Sequence, residues 1–441
     1  MSQIAANSPA PDVTAVSDAQ WAHRLESFAN DARMHEDNIN ITKASASKIG
    51  LPMLVVGLLM LLVSGIGIFS ISLKHTLAGL EIGIFTILAI SLGSLFWTMV
   101  FHALNAGWSI TLRRQFENLA SLVWIPALCL IVIAIMEVTM GGILLTWLDP
   151  AVREGNHLLE IKAPYLNAPF FLIRVAIYAI AWIMFSRMLL RWSRKADETG
   201  DRALGRKARW WASLGIPVFA FSTTFCAFDF LMALDYRFFS TMWGVYFFAS
   251  CALGSVSAVA IIAALLKSAG KLQGLVTEEH FHDLGKLVFA FIVFWAYVTF
   301  SQYFLIWYSN IPEETMWFIA RKEMGYGWLF NVMLIGHFAA PFLVLIWRPI
   351  KRSPKLLSIM GAYLIVMIAL DMAWIILPMI TIKAAAGEAT PSVPGHLIHV
   401  AAALGVVMIY GWAASRKLTK SPLIPTKDPM LHEALKHKNY V

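Results

Sequence analysis

Of the 441 residues, 59% are hydrophobic and only 14% are charged, and the mean hydropathy is +0.66. A soluble domain carries roughly 25% charged and about 45–50% apolar residues, so this composition excludes an ordinary soluble enzyme, a disordered chain and a collagen-like fibre and leaves a polytopic membrane protein. The net charge of +8 does not point to nucleic acid, because the basic residues stand at the ends of apolar runs rather than on one face.

In chain order, residues 1–45 form a polar tail with Pro9 and Pro11 and no apolar h-region, so no cleavable signal peptide is expected. A weak helical stripe (Trp21, Leu25, Phe28) runs through this tail, which is otherwise expected to be loosely ordered. Residues 46–418 form one transmembrane domain. About ten stretches reach the roughly 17–25 residues that a helix needs to cross a bilayer: Ile49–Ser72, Ile82–Leu104, Leu119–Leu148, Phe170–Trp192, Trp210–Leu234, Met242–Leu266, Leu284–Tyr308, Trp328–Trp347, Leu356–Ile382 and His396–Ala414. Pro150–Asn167 is the longest outer loop and suits docking of an external partner. A second polar tail, 419–441, closes the chain and shares the expected looseness of the first.

Lysine and arginine set the orientation. With the N-terminus inside, the inner segments hold 22 of them and the outer segments seven (Lys74, Arg153, Lys162, Arg237, Arg321, Lys322, Lys383), so both termini are expected in the cytoplasm. The predicted fold class is an all-α polytopic membrane protein.

An ionisable side chain in hydrocarbon costs at least about 2.5–3.5 kcal/mol, so each one calls for a reason. His337 and Asp371 fall near the midplane of the eighth and ninth spans. Glu137, Arg174, Asp229, Gln302, Asn331, His396 and His399 fall in the outer half of theirs, and His102 and Asn105 near the inner end of the second. Ser222, Cys226 and Asp229 share one helix face, as do Tyr297, Ser301 and Tyr308. Carboxylates, imidazoles and hydroxyls gathered inside a bundle suit a proton relay or a quinol pocket, since quinol oxidation requires a group that accepts the hydroxyl proton. Asp229, His337, Asp371 and Glu137 are the relay candidates. Arg174, Tyr297, Ser301 and Gln302 are candidates for quinone contact or tuning, although Arg174 could equally pair with Glu137 or Asp229 as a structural ion pair. His396 and His399 sit near the interface, where water would solvate them. The three cysteines lie in apolar runs, and with no CxxC or CxxCH the chain has no means of attaching haem covalently or holding an iron–sulfur cluster by cysteines. No Walker loop, HExxH or dinucleotide fingerprint is present.

Three stretches carry a family resemblance. Residues 283–315, DLGKLVFAFIVFWAYVTFSQYFLIWYSNIPEET, resemble the signature of the second NrfD-like (polysulfide-reductase-like) membrane subunit of alternative complex III, a bacterial quinol:cytochrome c oxidoreductase. FDFLMALDYRFFSTMWGVY at 228–246 is similar to that family's Asp-x-x-Met…Ser-Thr…Gly-x-Tyr segment, and HALNAGWSITLRRQFE at 102–117 resembles the segment joining its second and third spans. The resemblance implies two four-helix bundles, the second to fifth and sixth to ninth spans, related by a pseudo-two-fold axis and flanked by two helices. It also implies a multi-pass subunit of the bacterial inner membrane, working in respiratory electron transport by quinone contact, a proton path, or both. Haems and iron–sulfur clusters would belong to partners: a sister NrfD-like membrane subunit, an outer iron–sulfur subunit, multihaem cytochrome c subunits, small membrane anchors and a terminal cytochrome c oxidase. Two alternatives stay open: a structural anchor without its own chemistry, and a stand-alone proton-coupled secondary transporter, which the unmatched positions of Pro126 and Pro217 disfavour.

Overall fold

A computed structural model of the chain describes residues 17–384 and 393–439; Pro9, Pro11 and the side chain of Lys383 lie outside them. The described residues contain ten helices long and apolar enough to cross a membrane: α1 (Glu36–Ser70), α2 (Leu73–Leu104), α3 (Gly107–Thr139), α4 (Ala168–Thr199), α5 (Arg202–Met232), α6 (Trp243–Ser268), α7 (Glu278–Ser309), α8 (Pro312–Ile346), α9 (Pro354–Ile380) and α10 (Gly395–Lys420). Their ends follow local chemistry. The Asn167 side chain accepts the Phe170 N–H at 3.0 Å to start α4, a proline occupies its first turn, and Gly200 at φ 70° ends it.

The third span departs from the expected Leu119–Leu148. It begins earlier, with a helix at Ile110–Ala120, turns, and resumes over Trp124–Thr139. Gly141 and Gly142, at φ 71° and 82°, stop it there, because a left-handed pair cannot continue a right-handed helix.

Helices α2 to α5 form one bundle and α6 to α9 a second, with α1 and α10 packed on each other and on α2. The contacts between bundles are related by exchange of equivalent helices: α2 meets α6 and α9, while α6 meets α2 and α5. That is the pattern a pseudo-two-fold axis between α2 and α6 produces. These two helices are accordingly the most enclosed, with 89% and 83% of their apolar windows buried, against 17% for α1. They approach closely where a Cβ on Gly93 would overlap the carbonyl of Cys251. Gly93→Ala should therefore force α2 and α6 apart and cost about 1–3 kcal/mol. Thermal unfolding in detergent would register this, with Gly65→Ala, where no neighbour lies within 4 Å, as the neutral control.

The described parts of the two tails, 17–45 and 419–439, are folded, contrary to the looseness expected of them; residues 1–16 lie outside the described residues. The Trp21 indole N–H donates to the Gly200 carbonyl at 3.1 Å, the Leu423 N–H to Ile39 at 2.7 Å, and the Gln115 amide to Leu423 at 2.7 Å. Arg113 pairs with Asp428 at 2.5 Å, and His437 meets Asp283 at 2.5 Å. Arg33 grips Asp31 at 2.6 Å and holds its carboxyl below the usual carboxylate range. These described parts of the tails thus form a cap over one end of the bundles. Composition missed it because polar residues that satisfy one another in a cap resemble polar residues in water. At the opposite end the 150–167 loop lies against the 235–240 turn, where Asn156 donates to the Tyr236 hydroxyl at 2.8 Å and Lys162 to the Tyr236 carbonyl at 2.6 Å.

Candidate functional site

Three interruptions of α-helical winding shape the second bundle. Pro341 has no N–H for the carbonyl of His337, and the chain widens into a π-segment over Met333–Ala339 that carries His337. A second π-segment, Lys322–Tyr326, kinks at Gly325, φ 82°. Within α9, Pro378 frees the carbonyl of Trp374, which Arg321 then takes.

Between α6, α7, α8 and α9 these breaks leave a cavity of about 400 Å³, within the size range of small-molecule sites. Its wall is aromatic (Trp243, Tyr246, Trp295, Trp317, Phe330, Trp374) with Asp371 as its one carboxylate. Tyr297, Phe300 and Leu334, which also line it, are 64%, 63% and 53% exposed. These side chains stand on the outer surface of the spanning helices α7 and α8, so the mouth opens on the side of the bundle rather than at either end.

Asp371 is fully buried. Its Oδ1 accepts the Tyr246 hydroxyl, and its Oδ2 accepts the Trp295 indole N–H at 3.1 Å and the Ser250 hydroxyl at 3.5 Å. These donors stabilise the ionised carboxylate, yet no ion pair to it is present among the described residues. Trp295 is a partition: its far face stacks on the His337 ring with centroids 3.9 Å apart, so His337 stands one ring behind the cavity. Neither nitrogen of His337 has a hydrogen bond. Three cavity-lining groups are also unpaired: Trp243 Nε1, Thr299 Oγ1 and Gln302 Oε1. The site therefore presents donors, acceptors and a carboxylate within an apolar, aromatic frame, a combination suited to a flat ring bearing oxygens.

The other candidates separate from this site. Arg174 and Asp229 form a two-pronged ion pair, Nε–Oδ2 2.9 Å and Nη2–Oδ1 2.7 Å, and the Tyr178 hydroxyl adds a hydrogen bond to Oδ2 at 2.8 Å. The Arg174 guanidinium also lies over Tyr165, 3.9 Å from the ring centroid. The structural alternative for Arg174 is the geometry observed. Glu137 accepts the N–H groups of Leu144 and Leu145 at 3.0 Å, tying down the turn that ends α3. Ser301 does not line the cavity. The Tyr297–Ser301–Tyr308 face points outward rather than into the bundle, since Tyr308 is 76% exposed. His399 is buried rather than solvated, stacked on His75 at 5.3 Å and edge-on to His396 at 5.7 Å.

Two residues escaped sequence reading. Arg321, counted among outer-loop cations, is buried; it donates to the carbonyls of Trp317 (2.9 Å), Trp374 (3.2 Å) and Ile375 (3.0 Å) and lies 3.2 Å over the Trp317 ring centroid. The signal was Pro378, which orphans a carbonyl at Trp374. Glu81 is buried inside α2 with Oε2 unpaired; this carboxylate lies one residue outside the expected span Ile82–Leu104, because α2 starts nine residues earlier, at Leu73. Each bundle thus carries an arginine on its third helix and an aspartate on its last. In the first bundle they meet; in the second they stay apart, and the cavity lies there.

Fold and site together define a multi-pass, all-α membrane protein with a laterally open polar-aromatic pocket. No protein-family model matches the chain, and no curated protein matches it.

Proposed function

We propose that this chain is a membrane subunit of a quinol:cytochrome c oxidoreductase of the alternative complex III type, seated in the bacterial inner membrane, and that the cavity beside Asp371 receives the quinone head group. The observation that carries the reading is a pocket open on the side of the bundle whose one carboxylate, among the described residues, has hydrogen bonds but no counter-cation. A lipid-soluble substrate enters from the bilayer, and a carboxylate held in this way is free to take a proton. Two of the three family-like stretches supply part of the wall: 228–246 contributes Trp243 and Tyr246, and 283–315 contributes Trp295, Tyr297, Thr299 and Gln302.

In this reading Trp243, Thr299 and Gln302 orient the ring oxygens, Asp371 accepts a hydroxyl proton, and Tyr246 and Ser250 hold its oxygens in place. His337, behind Trp295, is the next acceptor inward. Electrons pass to haems and iron–sulfur clusters on partner subunits: a sister NrfD-like subunit, an outer iron–sulfur subunit and multihaem cytochromes c, held by small membrane anchors and delivering to a terminal oxidase.

Four cavity tryptophans provide the test. A water-soluble quinone analogue should quench their fluorescence saturably in the purified full-length protein. Ala296→Trp, which fills the cavity, should weaken binding by about tenfold or more. Equal affinity in the filled variant would refute the assignment of the pocket. Co-purification of haem absorbance with the chain separates a complex subunit from a transporter that runs alone.

A further inference from the structure

We infer that a recess at the basic end of the molecule, between the mid-span break of α3 and the ends of α4 and α10, binds the head group of a two-phosphate anionic phospholipid of the diphosphatidylglycerol class. The site is remote from the quinone pocket and does not depend on that reading. The recess has a volume of about 600 Å³ and is lined by Arg187, Arg191, Arg194, Lys195 and Lys417, with Glu198 as the one carboxylate. Lys417 has Arg187, Arg194 and Lys420 as its charged neighbours, so the cations face one another.

Three buried or half-buried arginines elsewhere at this end are each matched by a carboxylate: Arg113 with Asp428, Arg114 with Glu117 at 3.0 Å, Arg352 with Glu279 at 2.5 Å. None of the five recess cations forms an ion pair among the described residues, and Arg194 Nε and Nη2 are shielded from solvent without a hydrogen bond. With Glu198 in the lining and Glu117 and Asp197 near Arg194, the five cations still leave the recess net positive, and a polyvalent anion relieves their mutual repulsion.

The surroundings indicate a lipid rather than a free anion. On α4, Ile173, Ile177, Ile180, Met184, Arg187 and Arg191 recur every three or four residues, so they share one face, and all six are exposed. That face is apolar for three turns and then becomes basic. On α3 the exposed Trp124 stands beside the recess, with Leu128, Val132 and Ile135 following on the same exposed side. Acyl chains would lie along these two apolar strips while their phosphates reach the arginines and Trp124 sits at head-group depth. Basic pockets between membrane helices on the cytoplasmic side suit such head groups, and the bias of basic residues assigns this end to the cytoplasm. Cations from two separate helices match two phosphates better than one.

The experiment uses the full-length protein in its native assembly, delipidated and returned to phosphatidylcholine vesicles with or without a minor fraction of diphosphatidylglycerol. Thermal unfolding and mass spectrometry of retained lipid are the readouts. The wild type should retain diphosphatidylglycerol and unfold at higher temperature in its presence. The R187Q/R191Q variant should require about tenfold more of it for the same shift, while R206Q/K207Q, exposed cations on α5 outside the recess, should behave as wild type. Monodispersity and unfolding in phosphatidylcholine alone report whether the variant folds; if it does not, Lys417→Gln takes its place in the same comparison. An unchanged requirement in the recess variant overturns the proposal. So does an equal shift from inorganic phosphate, or from phosphatidylglycerol at matched charge, or retention of a partner's acidic peptide in place of lipid.

Discussion

Under the proposed function, Asp371→Asn is expected to leave the protein assembled in the membrane and to lower quinol-dependent reduction of cytochrome c by about a hundredfold or more, the scale of a lost general base. The side chain is nearly isosteric, but an amide cannot accept a proton at this point; its NH2 can donate to the Tyr246 hydroxyl while its oxygen still accepts from the Trp295 indole N–H. Binding of the quinone analogue should survive, since Trp243, Thr299 and Gln302 remain. Turnover with its proton release, compared with the affinity of the analogue, separates the two roles. Wild-type turnover in the variant would remove Asp371 from the chemistry and leave the cavity a binding site only. His337→Ala should have a smaller effect in the same direction, because Trp295 stands between the imidazole and the cavity.

The largest effect on stability is expected from Asp229→Ala. It would leave the Arg174 guanidinium buried without its carboxylate, together with an unpaired Tyr178 hydroxyl, and such a break costs about 3–5 kcal/mol. Asp229→Asn keeps hydrogen-bond acceptance while losing the charge and should cost less. Replacing both partners together, Arg174→Met with Asp229→Leu, should recover much of the loss, because removing a buried pair outright spares the desolvation of each charge. Unfolding in detergent measures all three. If Asp229→Ala melts with the wild type, the pair does not hold the first bundle together.

The contrast between Asp229 and Asp371 shows where sequence reading stops. Both are aspartates in apolar helices, and by spacing alone both are relay candidates. One is neutralised by an arginine 55 residues away, while the other is held by a tyrosine 125 residues away. Arg321 repeats the lesson in reverse: it reads as a loop cation, yet backbone carbonyls draw it into the second bundle. Six aromatic residues of two of the quoted stretches, Trp243, Tyr246, Trp295, Tyr297, Phe300 and Tyr303, line the cavity, while the 102–117 stretch takes no part in it.

From the sequence alone came the ten spans, their alternation across the bilayer and the shared side of the two termini. These follow from hydropathy summed over about twenty residues and from the placement of lysine and arginine, both local quantities. Only the tertiary structure decided which carboxylate is paired and which faces a pocket, that the polar tails form a cap, and that the third span breaks. Those outcomes depend on how each helix is rotated about its axis. Contacts such as Gly93 against Cys251 and proline-freed carbonyls such as that of Trp374 set the rotation, through partners far apart along the chain.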